Sequence, residues 1–143
     1  MAGIVIVRDV MSKDLRVVRP DTSVKEVVAT LNKFDIGSIV VVQSERPVGI
    51  ITERDILRRA LGASLVPEAL TARQIMTSPV ITIDQSASID EAAELMARKK
   101  VKKLLATDGE KIAGMLTFTD IVAKLPKMLS LLEELLRPHH RTY

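Results

Sequence analysis

The chain contains no cysteine and no tryptophan. Disulfides, thiolate nucleophiles and cysteine-based zinc sites are therefore excluded. Aromatic residues are almost absent: Phe34, Phe118 and Tyr143 are the whole set. The core must be built from Val, Ile, Leu, Met and Ala, and the side chains that usually stack on nucleic-acid bases are missing. Histidine occurs only as His139 and His140, too few to complete a metal site without cysteine. Asparagine occurs once, as Asn32, which suits a heat-adapted source. No apolar run approaches the length of a membrane span, so no membrane association is expected. Met1 to Val7 is too short for a signal peptide and lacks a charged start, so the expected compartment is the cytoplasm. A net charge of +3 is too small to argue by itself for nucleic acid. No Walker loop, GxGxxG or Ser-His-Asp arrangement is present. The carboxylates fall at helix starts and turns rather than as a catalytic pair. No enzyme is expected, and no required cofactor.

What the chain does have is a repeat. Gly49-Ile50-Ile51-Thr52-Glu53-Arg54-Asp55 is echoed by Gly114-Met115-Leu116-Thr117-Phe118-Thr119-Asp120. Both read Gly, two apolar residues, Thr, two variable residues, Asp. A shift of 65 positions brings Ile75 to Val122 onto the earlier chain without a gap. Met76 falls on Met11, Ser88 on Ser23, Glu91 on Glu26 and Ile121 on Ile56. Two copies of one unit are therefore expected, at residues 8–61 and 73–125, with a linker at 62–72 and a tail at 126–143. Each unit is near the size at which a lone core is marginal, so the two should pack on each other.

Within each unit the local signals alternate. Ile4 to Val7 reads as a short lead-in strand and Arg8 to Asp14 as a connector. Leu15 to Val18 reads as a strand. Ser23-Val24-Lys25-Glu26 has capping-box spacing, and Val24, Val27, Val28 and Leu31 form one helix face. Ile39 to Val42 and Val48 to Ile51 make a hairpin, and Asp55 to Leu61 a helix stopped by Gly62. The linker has room for one helical turn. The second unit follows suit. Val80 to Ile83 is its first strand and Ser88-Ile89-Asp90-Glu91 its capping box. Leu104 to Thr107 and Ile112 to Leu116 are joined by an Asp108-Gly109 turn. A last helix starts at Asp120 and is interrupted by Pro126. The expected unit is β-α-β-β-α, an α+β fold.

A gapless tandem of such units, each with Gly-apolar-apolar-Thr-x-x-Asp before its last helix, resembles the cystathionine-β-synthase (CBS) domain pair, or Bateman module. The likeness runs from about Val7 to about Leu125. The Val10-Met11-Ser12 and Ile75-Met76-Thr77 segments are also in register. The resemblance implies two repeats packed sheet against sheet about a pseudo-two-fold axis, leaving two clefts for adenosine-containing ligands such as AMP, ADP, ATP or S-adenosylmethionine. It implies that the motif Asp holds the ribose hydroxyls and that the Thr supports the ribose and phosphate side. By position, Asp120, Thr117 and Thr119 would face Ser12, Leu15, Val17, Ile36 and Gly37. Asp55, Thr52 and Arg54 would face Thr77, Val80, Thr82, Val101 and Lys102. A carboxylate suits a ribose diol, because both hydroxyls can donate to it. Yet Thr52, Asp55, Thr117 and Asp120 are also what a helix start needs for its own sake.

Two other stretches keep more than one reading. Arg98 to Lys103 holds five cations. A solvated helix end, a phosphate role for Lys102, and, least favoured, a nucleic-acid patch all fit. Met128, Leu129, Leu131, Leu132, Leu135 and Leu136 make a broad apolar face that either packs on the chain's own core or meets a partner. The function expected is a stand-alone regulatory module that binds an adenine nucleotide, forms a homodimer and signals to an unidentified regulated protein. The alternative is an interaction or scaffold protein with vestigial clefts, acting through its basic run or Leu-rich tail. The clefts should also differ. Arg54 and Lys102 both belong to the Asp55 cleft, whereas Thr119 and Gly37 stand at the matching places of the other.

Overall fold

The computed structural model describes residues 4–62, 67–124 and Glu134. The His pair and the Leu-rich tail, Glu134 apart, lie outside the described residues. Two three-stranded sheets are formed. In the first, β1 (Val17–Val18) pairs parallel with β2 (Ser38–Gln43), and β2 pairs antiparallel with β3 (Arg46–Thr52). The second repeats this with β4 (Thr82–Asp84), β5 (Lys103–Asp108) and β6 (Lys111–Thr117). The parallel pair needs a crossover, which α2 (Val24–Phe34) and α5 (Ile89–Lys99) supply. Ser23 and Ser88 cap these helices, each Oγ accepting from the N–H three residues on at 3.1 Å. The buried residues Val24, Val27 and Leu31 lie along one helix face, as the periodicity requires.

The motif helices begin earlier than expected. Helix α3 starts at Glu53 and continues as a π-helical stretch Ile56–Leu61, closed by a bond from Gly62 N–H to Leu57 O at 3.0 Å. Helix α6 runs Phe118–Val122. In both, the Thr and not the Asp is the cap. The first lead-in segment also departs from expectation. Only Ile6 makes a strand-like bridge, to Ser88, and Val7 already opens a helical turn, α1 (Val7–Val10). Its counterpart 65 positions on is α4 (Ala72–Ile75), preceded by a 3-10 turn Pro67–Ala69.

These turns exchange places. Val7 is fully buried among Ile89, Ala92, Met96, Leu104, Leu116 and Ile121, all from the second repeat. Ala72 and Ile75 are buried among Val24, Val27, Leu31, Ile39 and Ile51 of the first. Each repeat's core is thus completed by the segment that leads into the other. The exchange continues in the backbone, where Ser12 pairs with Met115 and Thr77 with Ile50. It also accounts for the motif glycines. The space a Cβ would need at Gly49 is filled by the Met76 side chain, and at Gly114 by Met11 and the Ser12 carbonyl. A third cluster, Val40, Leu105 and Met115 with Leu15, Val42, Ile50, Val80 and Ile112, joins the two sheets. Among the described residues no helix is long and apolar enough to cross a membrane.

Candidate functional site

At the end of β3, Thr52 is extended (φ −111°, ψ 168°) and caps α3. Asp55 N–H donates to Thr52 Oγ1 at 3.3 Å, and Thr52 N–H donates to Asp55 Oδ2 at 2.9 Å. In the second repeat, Asp120 N–H donates to Thr117 Oγ1 at 3.1 Å and Thr117 N–H to Asp120 Oδ2 at 2.8 Å. Both motifs are reciprocal capping boxes, so helix initiation alone is enough to hold Thr and Asp together.

Beyond that shared bond the carboxylates differ. Asp55 is buried, with 8% of its surface exposed. Its Oδ2 also accepts from Thr52 Oγ1 at 3.2 Å. Its Oδ1 accepts from Thr77 Oγ1 at 3.0 Å and lies 3.9 Å from Arg59 Nε. Arg59 in turn donates through Nη1 to Met76 O at 2.7 Å and Ile75 O at 3.3 Å, the carbonyls at and just beyond the end of α4. Asp120 is only half-buried, and among the described residues its Oδ1 has no partner.

A cavity of about 480 Å³ opens beside Asp55, between the two repeats. Of the set expected there, Thr52, Arg54, Asp55, Thr77, Val80, Val101 and Lys102 line it. Thr82 does not. Strand alternation turns Ile81 and Ile83 inward and leaves Thr82 exposed on the other face, with its backbone paired to Leu105. The sequence reading missed Ile50, Arg58, Arg59, Pro79, Ile81, Lys100 and Lys103, which also line the cavity. Two signals pointed to the charged ones. Arg58 and Arg59 lie one helical turn beyond Asp55, and Lys100 and Lys103 flank Lys102 in the basic run already singled out.

The set expected at Asp120 is less gathered. Ser12 is bonded to Met115, two residues before Thr117 on the same strand. Thr119 lies within α6. Leu15 is packed between the sheets and Ile36 against the first core. A methyl group added at Gly37 would lie 3.5 Å from Glu53 Oε1 and 4.0 Å from Lys103 Nζ. Val17 lines a separate groove of about 760 Å³ with Val18, Gln43 and Arg73. The charges lining that larger groove are of both signs: Arg19 pairs with Asp21 at 3.4 Å, Arg73 donates to Gln43 at 3.1 Å, and Glu45 adds a second carboxylate. Among the described residues no group of three His, Cys, Asp or Glu is placed to hold a metal.

Lys100 reaches the cavity from a strained backbone. It closes α5 in the left-handed region (φ 56°, ψ 44°), where a Cβ is unfavourable by roughly 1 kcal/mol. Lys100→Gly should therefore raise stability by up to about 1 kcal/mol in urea denaturation. It should also remove one cation from the cavity wall.

Two tandem β-α-β-β-α units, joined through their sheets and completed by exchanged segments, define a paired-repeat regulatory module. A family model for the CBS domain matches residues 7–62 and again residues 72–127, and the chain belongs to that family. A protein of Methanopyrus kandleri is 33% identical over 132 residues, covering 91% of this chain and 67% of that protein. A crystal structure of a conserved protein from Pyrococcus horikoshii superposes with a TM-score of 0.77 at 31% identity, covering 87% of this chain and 94% of that one. Inosine-5'-monophosphate dehydrogenase of Aquifex aeolicus is 35% identical over 111 residues, but the match covers only 22% of that enzyme. CBS pairs are typically ligand-sensing modules, and that is the class in which this chain falls.

Proposed function

We propose that this chain is a sensor of adenine nucleotides, acting in the cytoplasm as a homodimer on a separate regulated protein. The observation that carries the reading is the cavity between the repeats. Seven residues chosen from the motif and its register converge there, in a volume suited to a nucleotide. Val80, Val101, Ile50 and Ile81 offer apolar walls for an adenine ring. Arg54 and Lys102 stand where phosphates would lie. At the second cleft the half-free Asp120 carboxylate, with Thr117 and Thr119, would accept from a ribose diol. Ligand bound between the repeats would bias their relative arrangement, provided one arrangement binds it more tightly. Support for a dimer comes from Leu57 and Leu61, 63% and 56% exposed and four residues apart on the π-helical stretch.

Thermal melting with AMP, ADP, ATP and S-adenosylmethionine tests the reading, since a ligand that binds only the folded state raises Tm with concentration. ATP should bind about tenfold more tightly than AMP, because its extra charges meet cations. Raised salt should erode that preference, and Arg54→Ala with Lys102→Ala should abolish it. A well-folded sample with no Tm shift for any of the four ligands would leave the alternative, a scaffold with vestigial clefts.

A further inference from the structure

We propose that the Leu-rich C-terminal segment of this chain docks in an apolar groove between α5 and α6 of the second repeat. The groove, about 240 Å³, is lined by Ala93, Met96, Ala97, Val101, Phe118 and Ile121. That is smaller than the roughly 300–1,000 Å³ of a small-molecule pocket, and no lining side chain can hydrogen-bond. It therefore suits apolar side chains rather than a polar ligand. Phe118 is 55% exposed, and Ala93 and Ala97 are exposed beside it. Apolar surface gathered in an open recess marks a contact site.

The first repeat shows that this groove departs from the shared pattern. A shift of 65 positions puts Val28 at Ala93, Asn32 at Ala97 and Glu53 at Phe118. Val28 packs on the first core, and Asn32 and Glu53 are exposed polar groups. The second repeat thus has smaller side chains along α5, and an aromatic ring where the first has a carboxylate. Both changes make the recess deeper and less polar. They occur in the repeat that the apolar segment follows. Ile121 lines the groove and Met128 comes seven positions later, so little chain is needed to reach it. Pro126 between them disfavours a helix that runs straight on. Met128, Leu131, Leu132 and Leu135 fall at i, i+3, i+4 and i+7, one helix face, with Leu129 and Leu136 beside them. Lys127, Ser130, Glu133, Glu134 and Arg137 fall on the opposite side. Of these Glu134 is described, and it is helical and exposed, as that side requires.

Docking there has a consequence for the cleft. Val101 lines both the groove and the cavity beside Asp55, and Phe118 N–H donates to Lys102 O at 2.8 Å. The docked segment rests against the back of the cavity wall. A ligand that moves Val101 changes how tightly the segment is held, and the segment changes that ligand's affinity by the same factor. This coupling, unlike the docking, rests on the reading of the cavity as a nucleotide site.

The chain has no cysteine, so Ser130→Cys carries a nitroxide at a single place, on the polar side of the segment. In the full chain the label should broaden the amide signals of Ala93, Ala97 and Phe118. It should spare Lys111, at the far end of β6, and the first repeat's Val28 and Asn32. Ala97→Asn with Phe118→Glu installs the first repeat's residues at exposed positions, which the fold tolerates. That pair should abolish the broadening, and so should Leu132→Glu on the segment itself. Broadening that survives either variant, or that is equal at Val28 and Asn32, would overturn the docking. So would broadening of isotope-enriched, unlabelled chains by nitroxide-bearing ones, which would make a second copy the occupant. ATP at concentrations that raise Tm should change the broadening at Ala97. A raised Tm with unchanged broadening would overturn the coupling and keep the docking. No effect of ATP on either would remove the nucleotide reading and the coupling with it, and keep the docking.

Discussion

Val7→Asp should destabilise the protein by about 4 kcal/mol, and the damage should appear first in the second repeat. Val7 lies near the start of the chain but is fully buried in the core around Leu104 and Leu116. A carboxylate there would stand among the apolar side chains of that core and must either ionise in an apolar site or push the segment out. Expulsion would also break the backbone bonds from Val7 N–H to Ala87 O at 2.8 Å and from Ile89 N–H to Val5 O at 3.1 Å. Arg8→Asp, one residue on and exposed, should change stability by no more than about 0.5 kcal/mol. Amide hydrogen exchange supplies the location. Leu104, Leu105 and Ala106 should lose protection before Ile39, Val40 and Val41 do. Equal loss in the two sheets, or unchanged stability in Val7→Asp, would contradict the exchanged packing.

Asp55→Ala should cost about 3 kcal/mol, and Asp120→Ala only about 1 kcal/mol, although the two residues occupy the same place in the repeat. Removing Asp120 takes away its half of one capping box. Removing Asp55 takes away its half of the other box and also leaves Thr77 Oγ1 without its acceptor and Arg59 without the carboxylate it faces, inside a wall of further cations. Urea denaturation of the two variants reads the difference directly. Raised salt should narrow the gap, because part of the loss is repulsion among cations that Asp55 no longer offsets. Equal losses in the two variants would mean that Thr77 and Arg59 contribute nothing, and that the capping box is the whole role of both carboxylates.

How much of this was legible beforehand depends on the range of the interaction involved. The duplication, the hairpins, and the helices from Val24 and Ile89 follow from spacing along the chain, because capping and periodicity act within a few residues. Thr52 and Thr117 were legible as caps for the same reason, though placing each helix start at Asp put it two residues late. The seven cavity residues came from register and family likeness together. Thr82 lies outside the cavity lining because strand alternation, a local rule, turns it to the exposed face.

Composition and pattern by themselves determined a two-unit α+β chain with an aliphatic core, no thiol chemistry and a paired Thr-x-x-Asp motif. Each of those statements depends on residue types and on distances of a few positions. Only the tertiary structure decided that Val7 belongs to the second core and Ala72 to the first. Both segments are apolar, and nothing within a few residues distinguishes one partner sheet from the other. It alone decided that Gly49 makes room for Met76 and Gly114 for Met11. It also decided the fate of two carboxylates with near-identical surroundings in sequence. Thr77 and Arg59 close on Asp55 through contacts across 22 residues and one helical turn, while Ser12 and Lys124 do not close on Asp120. That difference arises where one repeat's lead-in segment meets the other's helix, and no local signal reports it.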